Sequence, residues 1–158
     1  EALKATTRLD DLPPVHFVVG PARMTDHDVR QLHLEGDCYV SLTRGEGFGL
    51  PLLEAALVGN PVIVTKWGGQ RDFLDNYVHA MYIGTMLTPA FPGSHSLDAG
   101  FIRPDQYWAE PNLAAAMWTM RHAYEHRLGK RPEAAKPLFA QLDYGVVGRM
   151  WRDLLESI

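Results

Sequence analysis

Apolar residues in this chain gather into short unbroken runs, and these alternate with stretches whose apolar positions recur every three or four residues. Unbroken runs of about four to eight residues bounded by turn residues read as strands buried on both faces, and a repeat of about 3.6 reads as helix. Val15-His16-Phe17-Val18-Val19-Gly20, after a Pro-Pro pair, is the first predicted strand. Thr25, with Asp28 three residues on, resembles a capping box with Asp in place of Glu, so a helix is predicted over Asp26–Glu35. Cys38 to Leu42 is the next strand, and the glycine-rich turn Thr43-Arg44-Gly45-Glu46-Gly47-Phe48-Gly49 follows it. Leu50 to Val58 reads as a helix with Pro51 in its first turn and Gly59 just past its end, the usual asymmetry of those two residues. A strand at Pro61–Lys66, a turn at Gly68-Gly69, a short helix at Gln70–Asn76 and a strand at Ala80–Ile83 complete the alternation.

Strands and helices in strict alternation imply right-handed crossovers and a parallel sheet. The predicted fold is therefore α/β, a Rossmann-like parallel sheet with helices on both faces. Gly84 to Trp108 shows no periodicity and holds three prolines and three glycines. A stretch of that kind is either a lid or binding loop, or a plain surface excursion. The rest reads as helical. Leu113, Ala116, Met117, Met120 and Tyr124 share one face, and Val147, Met150, Trp151, Leu154, Leu155 and Ile158 form a second apolar stripe. Core packing is the ordinary meaning of such stripes. The second is wider than a short terminal helix needs, so part of it is expected to be exposed and to drive self-association.

The 158 residues suffice for one domain and fall short of two. With 46% hydrophobic and 22% charged residues the composition is that of a globular protein. No apolar run approaches the ~20 residues of a membrane span. The net charge of −4, with Lys and Arg scattered, argues against a nucleic-acid partner. A single cysteine, Cys38, excludes an internal disulfide and fits a reducing cytoplasm; its apolar surroundings predict a buried core residue.

The candidate chemistry lies in Glu46-Gly47-Phe48-Gly49-Leu50-Pro51-Leu52-Leu53-Glu54-Ala55, at a strand end, a glycine turn and a helix start. Ligands of open α/β sheets bind at such junctions. Glycines such as Gly47 and Gly49 let the backbone approach a ligand closely, and the helix N-terminus adds unpaired N–H groups and partial positive charge. The two suit a diphosphate. Pro51 has no N–H, which leaves Gly49, Leu50, Leu52 and Leu53 as expected donors. Glu46 and Glu54 frame the turn with seven residues between them. Alone, Glu46 is a solvated turn residue and Glu54 a carboxylate near the helix start. Together each can accept from the hydroxyls of a vicinal diol. A nucleoside-diphosphate sugar, with ribose, two phosphates and hexose in series, satisfies the whole arrangement. Other sites fit poorly. Leu50 and Leu52 break the dinucleotide glycine pattern, and no P-loop or H-E-x-x-H occurs. His122 and His126 have metal-ligand spacing but lie among Arg121, Glu125 and Arg127, the composition of a solvated face.

This stretch resembles the Glu-x7-Glu signature of the group 1 retaining glycosyltransferases of GT-B fold. Gly36-Asp37-Cys38-Tyr39-Val40-Ser41, Gly59-Asn60-Pro61-Val62-Ile63-Val64, Gly68-Gly69-Gln70-Arg71-Asp72 and Trp108-Ala109-Glu110-Pro111 are similar to flanking segments of that family. The resemblance implies the C-terminal, donor-binding domain of a longer enzyme with two Rossmann-like domains. It implies that Glu54 holds the donor ribose and that Glu46, the catalytic candidate, contacts the transferred sugar. The backbone at Gly47, Phe48, Gly49 and Leu50 would meet sugar and diphosphate. The turn Pro21–Met24, with Ala22 and Met24, would lie near the base. Asp72 is expected to cap its short helix. Transfer would retain configuration, with no metal and no cofactor beyond the nucleotide sugar as donor. The family's Arg and Lys, which precede this region, and its acceptor domain with a catalytic-site His are not found in the sequence. The chain is thus expected to be an inactive fragment, partnered by an N-terminal acceptor domain that would also make any membrane contact. The alternatives are a non-catalytic nucleotide-binding or regulatory module of the same fold, and a different GT-B enzyme such as an epimerase or phosphorylase.

Overall fold

A computed structural model of the chain describes residues 24–90 and 105–157. The predicted first strand, the residue Ala22 and Ile158 lie outside them. The capping box is present. The Thr25 hydroxyl accepts from the Asp28 N–H at 3.3 Å, and the Asp28 carboxylate accepts from the Thr25 N–H at 2.8 Å. The Thr25 hydroxyl and N–H, both donating to Asp28, hold its carboxyl below the usual range. Helix α1 accordingly starts at once and runs Asp26–Glu35.

The elements that follow are β1 Tyr39–Ser41, α2 Leu50–Leu57, β2 Val62–Thr65, the single turn α3 Arg71–Leu74, and β3 Ala80–Ile83. The three strands form a parallel sheet in the order β1-β2-β3, with Val40 opposite Ile63 and Ile63 opposite Met81. Every residue of β2 is buried. Alternation along that strand divides the core in two. Val62 and Val64 face Leu52, Ala55 and Ala56 of α2 together with Phe73, Leu74 and Leu138. Ile63 faces Ala116 and Ala123 on the other side. Helices therefore cover both faces, as the unbroken apolar runs predict.

Three expectations are corrected. The stretch from Gly84 carries regular structure at both ends: β4 Thr85–Pro89 pairs antiparallel with β5 Tyr107–Pro111. The pairing was hidden because β4, Thr-Met-Leu-Thr-Pro, does not alternate and its partner is far off in sequence; residues 91–104 lie outside the described residues. Helix α4, Leu113–Glu125, packs through Ala116 and Ala123, and the larger residues of the predicted face point outward, with Met117 72% and Tyr124 84% exposed. Ile63 and Ile83 already fill that interface, so only small side chains fit against them. Cys38 is half-buried rather than buried, because β1 is an edge strand among the described residues; burial, and then Asp37, pushes its thiol up.

The chain ends in a 3-10 turn at Pro132–Ala135, α5 Lys136–Leu142 and α6 Tyr144–Glu156. Gly59, at φ 87°, lets the first of these dock. Its carbonyl accepts from the Arg131 N–H at 2.9 Å, and a Cβ there would sit 2.6 Å from the Arg131 carbonyl carbon. Leu138 is then completely buried in the first core. Helix α6 has no buried residue; Trp151 is 60% and Leu155 66% exposed, so the terminal stripe is a surface feature. No helix among the described residues is long and apolar enough to cross a membrane. The contrast between α5 and α6 gives a test by urea unfolding. Leu138→Ala is expected to cost ~2–5 kcal/mol, as for a buried leucine. Leu154→Ala on α6 should stay within ~0.5 kcal/mol, as for an exposed site. Equal losses would contradict this packing.

Candidate functional site

The site forms where the turns after β1 and β2 meet at the C-terminal edge of the sheet. Gly49 is the N-cap of α2 and adopts the left-handed conformation, φ 83° and ψ 53°. It has no side chain to cap the helix, and Pro51 has no N–H. The first helix bond runs from the Leu53 N–H to the Gly49 carbonyl at 3.0 Å. Leu53 is thus not an available donor, contrary to expectation. Among the described residues the N–H groups of Gly49, Leu50 and Leu52 meet no acceptor. They belong to the first turn of the helix, its positive end, where Gly49 and Leu52 are themselves buried. Leu50 is exposed at the surface, and the half-exposed Phe48 is anchored by its ring, 5.2 Å from that of Phe73.

The second turn presses directly on the first. The Gly69 N–H donates to the Glu46 carbonyl at 3.3 Å, and a Cβ on Gly69 would lie 2.0 Å from the Gly47 carbonyl oxygen. Gly68, at φ 102°, is also close: a Cβ there would lie 2.6 Å from the Glu46 carbonyl oxygen. Gln70 is buried below them, and its amide donates to the carbonyls of Thr65 and Trp67. Asp72 does not cap α3 as expected: the N-cap is Gln70, with no side-chain hydrogen bond, and Asp72 offers its carbonyl to Gln141 at 3.1 Å.

Glu46 is half-buried, its side chain against Gly49. Glu54 is exposed one turn into α2, on a groove of about 560 Å³ between α1 and α2 that Asp26, His33, Pro51 and Phe139 also line. That volume is within the ~300–1,000 Å³ of small-ligand sites. Met24, half-buried, immediately precedes the Thr25 cap of α1. Tyr39 links the two carboxylates electrostatically: burial, then Glu46 and Glu54, push its hydroxyl above the usual range. The buried His33 brings Nε2 to 3.5 Å from Glu54 Oε2 and stands 5.6 Å from the Tyr39 ring. Sequence reasoning missed both residues. The available signal was that His33 lies four residues from Val29, on the face of α1 that turns to α2. A second cavity of about 500 Å³, bounded by Cys38, Val40, Ile63 and Ala123, lies away from the glycine turns and carries neither glutamate.

The β4–β5 hairpin is tied to the same edge. Arg44, two residues before Glu46, pairs with Glu110 at 2.6 Å and lies 5.3 Å from the centre of the Trp108 ring, while its carbonyl accepts from the Ala109 N–H at 3.1 Å. Among the described residues His122 and His126 are not brought to a third ligand. Their rings are 4.0 Å apart beside the exposed Trp118, and no group of three metal-binding side chains occurs among the described residues.

The family model described as glycosyl transferases group 1 matches residues 9–89, more than half of the chain, and spans both glycine turns and both glutamates. No curated protein matches, and no solved structure does.

The interlocked turns carry a direct prediction. Gly69→Ala must separate them and should destabilise the protein by more than ~2 kcal/mol in urea unfolding. Gly45→Ala meets nothing within 4 Å. It should stay within ~0.5 kcal/mol. A tolerated Gly69→Ala would show that the turns do not touch as described.

Proposed function

Since the chain belongs to the group 1 glycosyl transferases, we propose that it holds the donor of a glycosyl transfer, a nucleoside-diphosphate sugar. Family membership supports the transfer itself; the donor site is our reading of the residues. Glu54 accepts from the ribose hydroxyls. The nucleoside lies in the groove between α1 and α2, its base toward Met24. The diphosphate sits on the open N–H groups of Gly49, Leu50 and Leu52, with Gly47 and Phe48 bordering the sugar. Glu46, beside Gly49, faces the transferred sugar as the catalytic group. The observation that carries this reading is that one helix start presents uncapped N–H groups while its next turn places a carboxylate on a nucleoside-sized groove.

Charge logic sets the order of the ligand. Two carboxylates repel phosphate, so the diphosphate belongs between them, at the helix end. There the fixed N–H dipoles stabilise the negative charge that grows as the nucleoside diphosphate leaves, without reorganising. We propose that this electrostatic help replaces a divalent metal, that configuration is retained, and that an acceptor-binding domain completes the enzyme.

Glu54→Ala is expected to weaken binding of the nucleotide sugar by ~1.5–3 kcal/mol, the range for a hydrogen bond to a charged group, with the fold intact. Calorimetric titration measures it, and unchanged affinity would remove Glu54 from the site. The exposed face of α6 is expected to make the chain self-associate. Sedimentation should then show a concentration-dependent mass that Trp151→Glu abolishes; a monomer at all concentrations would refute this.

A further inference from the structure

Of the two site glutamates, Glu54 has a titratable partner at contact distance within the protein. His33 Nε2 lies 3.5 Å from Glu54 Oε2. The members of this pair are held very differently. The His33 side chain is 10% exposed and that of Glu54 48%. The His33 carbonyl accepts from the Asn60 amide at 2.7 Å, and Asn60 is fixed in turn by the Tyr77 hydroxyl, which donates to its carbonyl at 2.7 Å. Tyr39 braces the imidazole ring. The imidazole is therefore the fixed member and the glutamate arm the adjustable one.

Charged imidazole carries a proton on both nitrogens, and neutral imidazole on one of them. His33 thus presents an N–H to Oε2 when charged, and in the Nε2–H tautomer when neutral. A donor fixed at that point gives Oε2 a place to close on and leaves Oε1 to accept from a ligand. The separation exceeds the ~2.9 Å of a closed hydrogen bond. Contacts of this kind are often long in the free protein and tighten with ligand.

We infer that His33 is the positioning residue of Glu54, a buried donor that presets the carboxylate for the ribose diol. The inference rests on the assignment of Glu54 to the ribose. Without the donor, the arm samples its rotamers over an apolar stretch of groove formed by Val29, Pro51 and Leu57, and the diol must order it on binding.

The test uses the full chain and the 5′-diphosphates of adenosine, guanosine, uridine and cytidine. The tightest binder is compared with its 2′,3′-dideoxy counterpart by calorimetry. His33→Leu should lose about tenfold in affinity for the ribonucleotide, within the span of one hydrogen bond to a charged group, and less than twofold for the dideoxy analogue. His33→Gln, which restores an N–H donor, should recover most of the loss. A purely structural His33 would weaken both ligands alike, and that result, or no loss in either, overturns the inference. If His33→Leu does not fold, His33→Asn, too short to reach Glu54, carries the same expectation. Glu54→Ala separates the two levels. If it leaves discrimination between the two ligands intact, the ribose assignment itself fails. If it abolishes discrimination while His33→Leu does not, only the role of His33 fails. Binding of none of the four diphosphates would remove both.

Discussion

Two backbone turns in contact at the sheet edge are the constraint on which the rest of the site depends. The Gly47 carbonyl oxygen stands only 2.0 Å from where a Cβ of residue 69 would be, so no other residue type fits at that position without moving one turn. This contact fixes the end of β2 against the end of β1, and Gly49 then reverses the chain into α2 with its left-handed backbone. The direction of α2, and with it the aim of its unpaired N–H groups, follows from Gly69 and Gly49, which act through backbone alone. Gln70 supports the arrangement from beneath, tying the carbonyls on the β2 side.

The sheet supplies the rigidity that such a contact needs. Its central strand is buried along its whole length, and alternate residues serve opposite cores. On one side α2 packs by Leu52, Ala55 and Ala56, the face opposite to the one that carries Glu54. Burial of one face thereby decides exposure of the other: the carboxylate reaches the groove because the same helix is pinned one and two residues away. On the other side α4 approaches through alanines and leaves its large residues to solvent.

Local rules predicted local features well. Thr25 and Asp28 announced the start of α1, and Gly49, Pro51 and Gly59 bracketed α2 within a residue. The unbroken Val62-Ile63-Val64 run told of helices on both faces. What escaped was set by contacts between distant segments. The partner of β4 lies about twenty residues downstream, and nothing in Thr85–Pro89 advertises it. The buried face of α4 could not be read from apolar size, because Ile63 and Ile83 had taken the space that larger side chains would need. At the site, the spacing of Glu46 and Glu54 was legible as a pattern. The approach of His33 and Tyr39 to those carboxylates required the packing of α1 and β1 against α2, which periodicity does not encode.

The root of the β4–β5 hairpin has a consequence for how this edge of the protein can vary. Its base is closed by the Asn112 N–H on the Gly84 carbonyl at 3.0 Å, by the Ala109 N–H on the Arg44 carbonyl, and by the Arg44–Glu110 pair. Those ties belong to the sheet and to the glycine turn, and none depends on how much chain lies between the two strands. Closing a longer loop on a base already fixed adds only ~0.6 kcal/mol for each doubling of its length. The hairpin is therefore a graft point. Chain added between its strands leaves the ties at the root, and with them the parallel sheet and the two turns, in place.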